Sequence, residues 1–220
     1  MEKSSVLLNL SLNELSNKFD EVIGFEWKIR KGSQEERSKG IRHYGIKFKN
    51  HFKTRFDRKI KDDEVVSYFD TMTLLKRLKT ELSEEYKEIE IFMEFSIPYA
   101  HQKRIDYLLA FKNTVIVVEF SYIKEDNENI ENSEYMTRYH DKLIQAMQYV
   151  KLIENMLDHK TRIIPMVILY MPEEDKEIEI PGNKEKNNKE INTLADLIRE
   201  QYAKDTTAAE ELKKNLKEII

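Results

Sequence analysis

Two acids, Asp106 in "KRIDYLLAF" and Glu119 in "TVIVVEFSY", stand in adjacent runs that read as β-strands joined by the tight-turn candidate "KNT". Side chains alternate along a strand, so Glu119 shares a face with Ser121, and Asp106 with Arg104 and Leu108. If the strands pair through that turn, the two carboxylates can meet on one side of a sheet. Two carboxylates flanking one point form a hard oxygen site of the kind Mg²⁺ or Mn²⁺ accepts, with water and a phosphate completing the shell. A cation held there can lower the pKa of a bound water and steady charge on a phosphoryl centre. Taken singly, each acid reads as a solvated strand residue or one paired with a neighbour such as Arg104. Jointly they carry more weight, because Glu119 follows four apolar residues in a strand that reads as central. An unpaired carboxylate is costly there.

The elements that must position these acids follow from periodicity. From Asp62, the residues Val65, Tyr68, Phe69, Met72, Leu75, Leu78 and Leu82 recur at three- and four-residue steps, which predicts a helix burying one stripe. Asp62 and Asp63 suit its positive start. Three strands follow: "IEIFMEFSIP", ending at Pro98, and then the two acid-bearing runs. "VIVV" is apolar on both faces, as in a buried central strand. After the polar loop "EDNENIENSE", a long helix is expected from about Ser133 to His159, and "TRIIPMVILYM" reads as a fourth strand. A strand, a long helix and a further strand make a crossover, so that last strand should run parallel to one of the others. The chain closes with a charged loop and two helices, the second opened by Thr207 with Glu210 three residues on. The fold class is therefore α/β, a small mixed sheet flanked by helices. Residues 62–171 form its core, residues 1–61 an N-terminal extension and residues 172–220 a C-terminal loop and helices. Within the extension, a helix over Ser11 to Ile23 and a strand pair, "GFEWKIRKG" and "YGIKFKNHF", are expected around the loop "KGSQEERSKG".

The acid-bearing stretch resembles the core of the PD-(D/E)XK nuclease superfamily. In that family an acid ends one strand and E-x-K lies on the next. Here "RID" supplies Asp106, and "VVEFS" supplies Glu119, Phe120 and Ser121. On the following helix "QAMQY" fits the Q-x-x-x-Y element of the RecB-like branch, with Gln145 and Tyr149 one turn apart on one face. The segment "EFSIPYAHQKRID" is similar to the lead-in of nuclease-like domains found ahead of some helicase-type ATPases. The resemblance covers roughly residues 62–171 and implies a restriction-endonuclease-like fold. It also implies that Asp106, Glu119 and the backbone carbonyl of Phe120 bind the metal, and that Gln145 and Tyr149 position substrate or the site. Glu94 is a candidate extra acid, and a first-helix glutamate (Glu64, Glu81, Glu84 or Glu85) could join. The departure is Ser121, which stands where the family carries a lysine and brings no positive charge. Lys142, three residues before Gln145 on the helix, and Lys124, three residues past Ser121, are the candidates to replace it.

Composition bounds the remaining choices. The 220-residue chain is 40% hydrophobic and 35% charged, enough for one ordinary domain with a solvated surface. It has no cysteine, which excludes disulfides and thiolate metal sites. No long apolar run exists, and "MEKSSVLLNLSLNELS" is too short and acidic for a signal peptide, so no membrane partner and a cytoplasmic location are expected. The net charge of -4 hides an asymmetry: Lys28 to Lys61 hold thirteen Lys or Arg against three acids. Lys28, Arg30, Lys31, Lys47, Lys49, Lys53, Arg55 and Arg58 are thus candidates to neutralise nucleic-acid phosphates. The interleaved aromatics Trp27, Tyr44, Phe48, Phe52 and Phe56 read equally as base-stacking or core residues. The expected function is a metal-dependent nuclease acting on DNA, or on RNA. The alternative is a catalytically weakened nuclease-fold module that binds nucleic acid or joins a multiprotein assembly. Nucleases of the family it resembles often pair, so a homodimer is compatible with either reading.

Overall fold

This computed structural model describes residues 5–15, 39–40, 45–97, 103–123, 134–171, 183–202 and 207–216. Within them the chain forms β1 (Leu8–Ser11), α1 (Ile46–Phe56), α2 (Asp62–Glu81), β2 (Glu90–Ile97), β3 (Lys103–Phe111) and β4 (Thr114–Tyr122). It continues with α3 (Glu134–Glu154), β5 (Arg162–Tyr170), α4 (Asn183–Gln201) and α5 (Thr207–Lys214). The protein is of the α/β class. Its five-stranded mixed sheet runs β1-β2-β3-β4-β5, antiparallel except for the parallel pair β4 and β5. The crossover through α3 imposes that parallel pairing. This arrangement is consistent with a restriction-endonuclease-like fold.

Helices cover both faces of the sheet. The stripe Val65, Phe69, Met72, Leu75 and Leu78 of α2, with Ile191, Leu194 and Ile198 of α4, packs on Ile91, Met93, Tyr107, Leu109, Ile116 and Val118. On the other face Ala146, Tyr149 and Ile153 of α3, with Ala208, Ala209 and Leu212 of α5, pack on Phe92, Leu108, Ala110, Val115 and Val117. β4 is therefore apolar on both sides, as a covered central strand must be. Truncating Leu75 or Leu78, both fully buried, would cost about 2–5 kcal/mol. Lys112, with φ of 48°, forms the tight β3–β4 turn with Asn113, and its carbonyl accepts the Ala208 amide at the start of α5 at 2.6 Å. Pro165 is tolerated in β5 because that strand lies at the sheet edge.

The first 61 residues depart from the expected strand pair. "YGIKFKNHF" is not a strand: Ile46–Phe56 is helical. Phe48, Phe52 and Phe56 fall four residues apart, which gathers them on one helix face, and this face packs on Tyr68 and Phe69 of α2. Phe52 is fully buried and Phe48 and Phe56 pack half-buried against the same core, so Phe52 serves the core and is not free to stack on a base. Trp27 and Tyr44 lie outside the described residues. The partner strand "GFEWKIRKG" lies outside the described residues, as does most of the helix expected from Ser11 to Ile23. Of that helix residues 12–15 are described as helical. Ser11 and Glu14 cap it reciprocally: Glu14 donates its amide to Ser11 Oγ at 3.2 Å, and Ser11 donates its own to Glu14 Oε2 at 2.8 Å. Immediately before it β1, too short to be expected, extends the sheet along β2.

Candidate active site

The ladder between β3 and β4 closes from the turn up to the pair Tyr107 and Val118. One row further on, Asp106 and Glu119 stand opposite each other, and there side chains replace the backbone bonds. Glu119 Oε1 accepts the Asp106 amide at 3.2 Å, and Asp106 Oδ2 accepts the Phe120 amide at 2.9 Å. The strands open at this row, and each carboxylate satisfies an amide that the ladder has released. The arrangement fixes both carboxylates at the mouth of a fork.

Lys142 enters the fork from α3. Its ammonium donates to Glu119 Oε2 at 2.9 Å and lies 3.6 Å from Asp106 Oδ2. Glu119 is 0% exposed. Burial, reinforced by the charge on Asp106, pushes its carboxyl up to about 8, against the pull of Lys142. Burial alone would lower the Lys142 ammonium, but the two carboxylates outweigh it and hold its pKa above the ordinary lysine value. The lysine is charged throughout the neutral range.

One and two turns further along α3, Gln145 donates to the Tyr149 hydroxyl at 2.9 Å. Tyr149 is buried, which raises its pKa, and its hydroxyl senses both Glu119 and Asp106. Lys142, Gln145 and Tyr149 thus present one face of α3 to the fork. Ser121 lies two residues beyond Glu119 on β4, half-buried, opposite Leu169. Lys124 lies outside the described residues, as do Lys28, Arg30 and Lys31.

On the other side of β3 the residue opposite Asp106 is Glu94. Glu94, Asp106 and Glu119 therefore form one row across three strands. Glu94 has φ of 53°, a left-handed conformation that costs a non-glycine residue about 1–3 kcal/mol. The chain changes sides at this row: Met93 and Tyr107 face α2, whereas Phe95 and Ile105 face α3. Glu94 ends 2.9 Å from Arg104, bonds to the Tyr68 hydroxyl, and is raised to about 7 by burial and then by Asp106. Its carboxylate is committed to these partners on the α2 side.

The other sequence-derived candidates lie away from the fork. Glu64 accepts the Lys61 amide at 2.9 Å, capping its own helix, and pairs with Arg58 at 2.8 Å. Glu81, Glu84 and Glu85 are exposed at or beyond the far end of α2. Lys49 pairs with Asp62, while Lys47 and Lys53 are exposed on α1. Sequence reasoning did not single out Tyr68 as a site neighbour. The available signal was Glu94 itself, a carboxylate inside the apolar run "IFMEFSI" that needs polar partners from a packed helix.

A family model described as the nuclease-related domain matches residues 69–170. That region is nuclease-like. The match runs from the first turns of α2 to the end of β5, so it contains the whole fork and the face of α3 that closes it. No curated protein and no solved structure matches the chain.

The fork also bears on whether a divalent cation suits this nuclease-related region. Among the described residues no group of three or more His, Asp or Glu side chains could hold one alone. The donor set is two carboxylates, one wholly desolvated, whose oxygens carry lone pairs beyond those used for Lys142 and the amides. A cation of the Mg²⁺ class suits such a set, because it keeps several waters and takes one or two protein carboxylates plus substrate phosphate.

Proposed function

We propose that this protein is a metal-dependent nuclease that hydrolyses phosphodiester bonds in DNA. Asp106 and Glu119 would hold Mg²⁺ or Mn²⁺, with the Phe120 carbonyl as a further oxygen donor. When bound there, such an ion would supply Lewis-acid polarisation of a phosphoryl oxygen and a water of lowered pKa. Lys142 brings the positive charge that Ser121 lacks, reaching the same two carboxylates from α3 instead of from β4. Its ammonium orients the attacking water and offsets charge that grows on the phosphate. Gln145 and Tyr149, hydrogen-bonded to each other, hold the wall of the fork beside Lys142 and match the Q-x-x-x-Y element of the RecB-like branch. Lys47 and Lys53 on α1 supply backbone contacts to the nucleic acid.

The observation that carries this reading is the convergence of the Lys142 ammonium on both carboxylates, 2.9 Å from Glu119 and 3.6 Å from Asp106. The test is cleavage of supercoiled plasmid and of single-stranded DNA with Mg²⁺ or Mn²⁺, comparing the native protein with Asp106→Ala and Glu119→Ala. Cleavage by the native protein that vanishes in both variants supports the proposal. Cleavage that persists in both would sink it. Salt-sensitive DNA binding without any cleavage would replace it with the binding-module reading, in which Lys142 neutralises the carboxylates permanently.

A further inference from the structure

Asp106 is the one acid of the transverse row with neighbours on both sides, and the left-handed turn at Glu94 adjoins it. Register is preserved through this point: Met93 pairs with Tyr107 and Phe95 with Ile105. No residue is inserted, so both strands rotate together and exchange faces. This rotation takes Asp106 out of regular pairing with Glu94 and leaves its carboxylate to reach across to Phe120.

The rotation is held from the α2 side. Arg104 lies 2.9 Å from Glu94 Oε2, yet its N–H is not aimed at that oxygen, so charge attraction holds the contact without a directed bond. The guanidinium lies over the rings of Phe52 and Phe56 at 5.0 and 5.4 Å. Tyr68 of α2 adds its hydroxyl to Glu94. A strained backbone persists only where its surroundings over-determine it, and here α1, α2 and β3 each contribute a contact.

We infer that Glu94 and Arg104 are positioning residues: their ion pair holds the rotated β2–β3 row that delivers the Asp106 carboxylate to the Phe120 amide. Their function is exerted through Asp106 and requires no contact with substrate or metal. Because Arg104 is clamped by two α1 rings, the seating of α1 bears on the placement of Asp106. The kinetic consequence rests on the proposed nuclease reading, but the geometric claim stands apart from it.

The test uses Glu94→Gln, Arg104→Met and Arg104→Lys in the full chain, with Asp106→Ala as reference. The first readout is hydrogen exchange of the Phe120 amide by NMR, which reports its bond to Asp106 whether or not the protein cleaves DNA. Glu94→Gln and Arg104→Met should speed Phe120 exchange toward the Asp106→Ala rate, with the apolar β3–β4 rows still protected. Arg104→Lys, which keeps the charge, should recover part of the protection. The second readout is Mn²⁺ affinity and kcat, expected to fall about 10- to 100-fold with KM little changed. Phe120 exchange at the native rate in Glu94→Gln would overturn the inference. So would loss of protection spread evenly over the sheet, which marks a merely structural role. If the native protein neither binds Mn²⁺ nor cleaves, the nuclease reading fails while the Phe120 readout still decides this one.

Discussion

Asp106 stands between two buried glutamates that differ in what surrounds them. Glu119 meets a lysine on a flexible stem, half-buried at the mouth of a fork where two strands part. Glu94 meets an arginine pinned over two phenylalanine rings, on the opposite side of the sheet, where the Tyr68 hydroxyl also bonds to it. An ammonium is a compact charge that can shift between Glu119, Asp106 and a substrate, whereas a stacked guanidinium is committed to one geometry. On the proposed nuclease reading this is a division of labour within one row: the Glu119 side exchanges partners, and the Glu94 side keeps them.

The largest expected effects come from the Glu119 side. Asp106→Ala or Glu119→Ala should abolish cleavage in the plasmid assay and remove Mn²⁺ binding measured by calorimetry. Lys142→Met should leave Mn²⁺ binding largely intact but lower kcat about 10²- to 10³-fold, the scale of removing one transition-state donor. Lys142→Arg should restore less than a full charge replacement would suggest, because a planar fork cannot occupy the same point. Single-turnover kinetics on a short DNA duplex would measure both. An unchanged rate in Lys142→Met would remove the distinction between the two glutamates.

A pH series sharpens the comparison next. Glu119 is raised from 4.5 to about 8 and Glu94 from 4.5 to about 7, so the folded protein keeps protons that the unfolded chain releases. The stability these groups contribute is complete below about pH 4.5 and is lost as pH rises toward about 8. The Tm of the metal-free protein should therefore fall over that window, and Glu119→Gln should flatten the fall. Mn²⁺ competes with the proton on Glu119, so the gain in Tm on adding it should grow with pH to about 8. A Tm that rises through the same window would contradict the raised pKa values.

Smallest of the expected effects is that of the basic helix. Lys47→Gln and Lys53→Gln should weaken DNA binding at low salt and reduce the salt slope by about 0.9 for each phosphate left without its lysine. Fluorescence anisotropy at several salt concentrations would show it, with kcat unaffected. A change in kcat instead would tie α1 to the Asp106 row through Arg104.

The sheet was legible in the sequence because its strongest signals are local. Short apolar runs on either side of "KNT" mark β3 and β4, and a long three-four periodicity between two apolar runs marks the crossover helix. The adjacency of Asp106 and Glu119 follows from that turn, and the approach of Lys142 from its spacing to Gln145. What was not legible depends on contacts distant in sequence. "IKFKNHF" alternates for a few residues, and only packing on Tyr68 and Phe69 shows that its four-residue spacing governs. β1 is four residues long, too short to announce itself, and exists because β2 offers an edge. The left-handed turn at Glu94 has no glycine or asparagine to mark it, and the Arg104 and Tyr68 contacts beside it come from other elements of the chain.

The most direct test of the central claim is Mn²⁺ titration by calorimetry near pH 8, on the native protein and on Glu119→Ala. The native chain should bind the cation, and the variant should lose that binding. A native protein that binds no Mn²⁺, or a Glu119→Ala variant that binds it equally well, would contradict the assignment of this fork as a metal-bearing nuclease site.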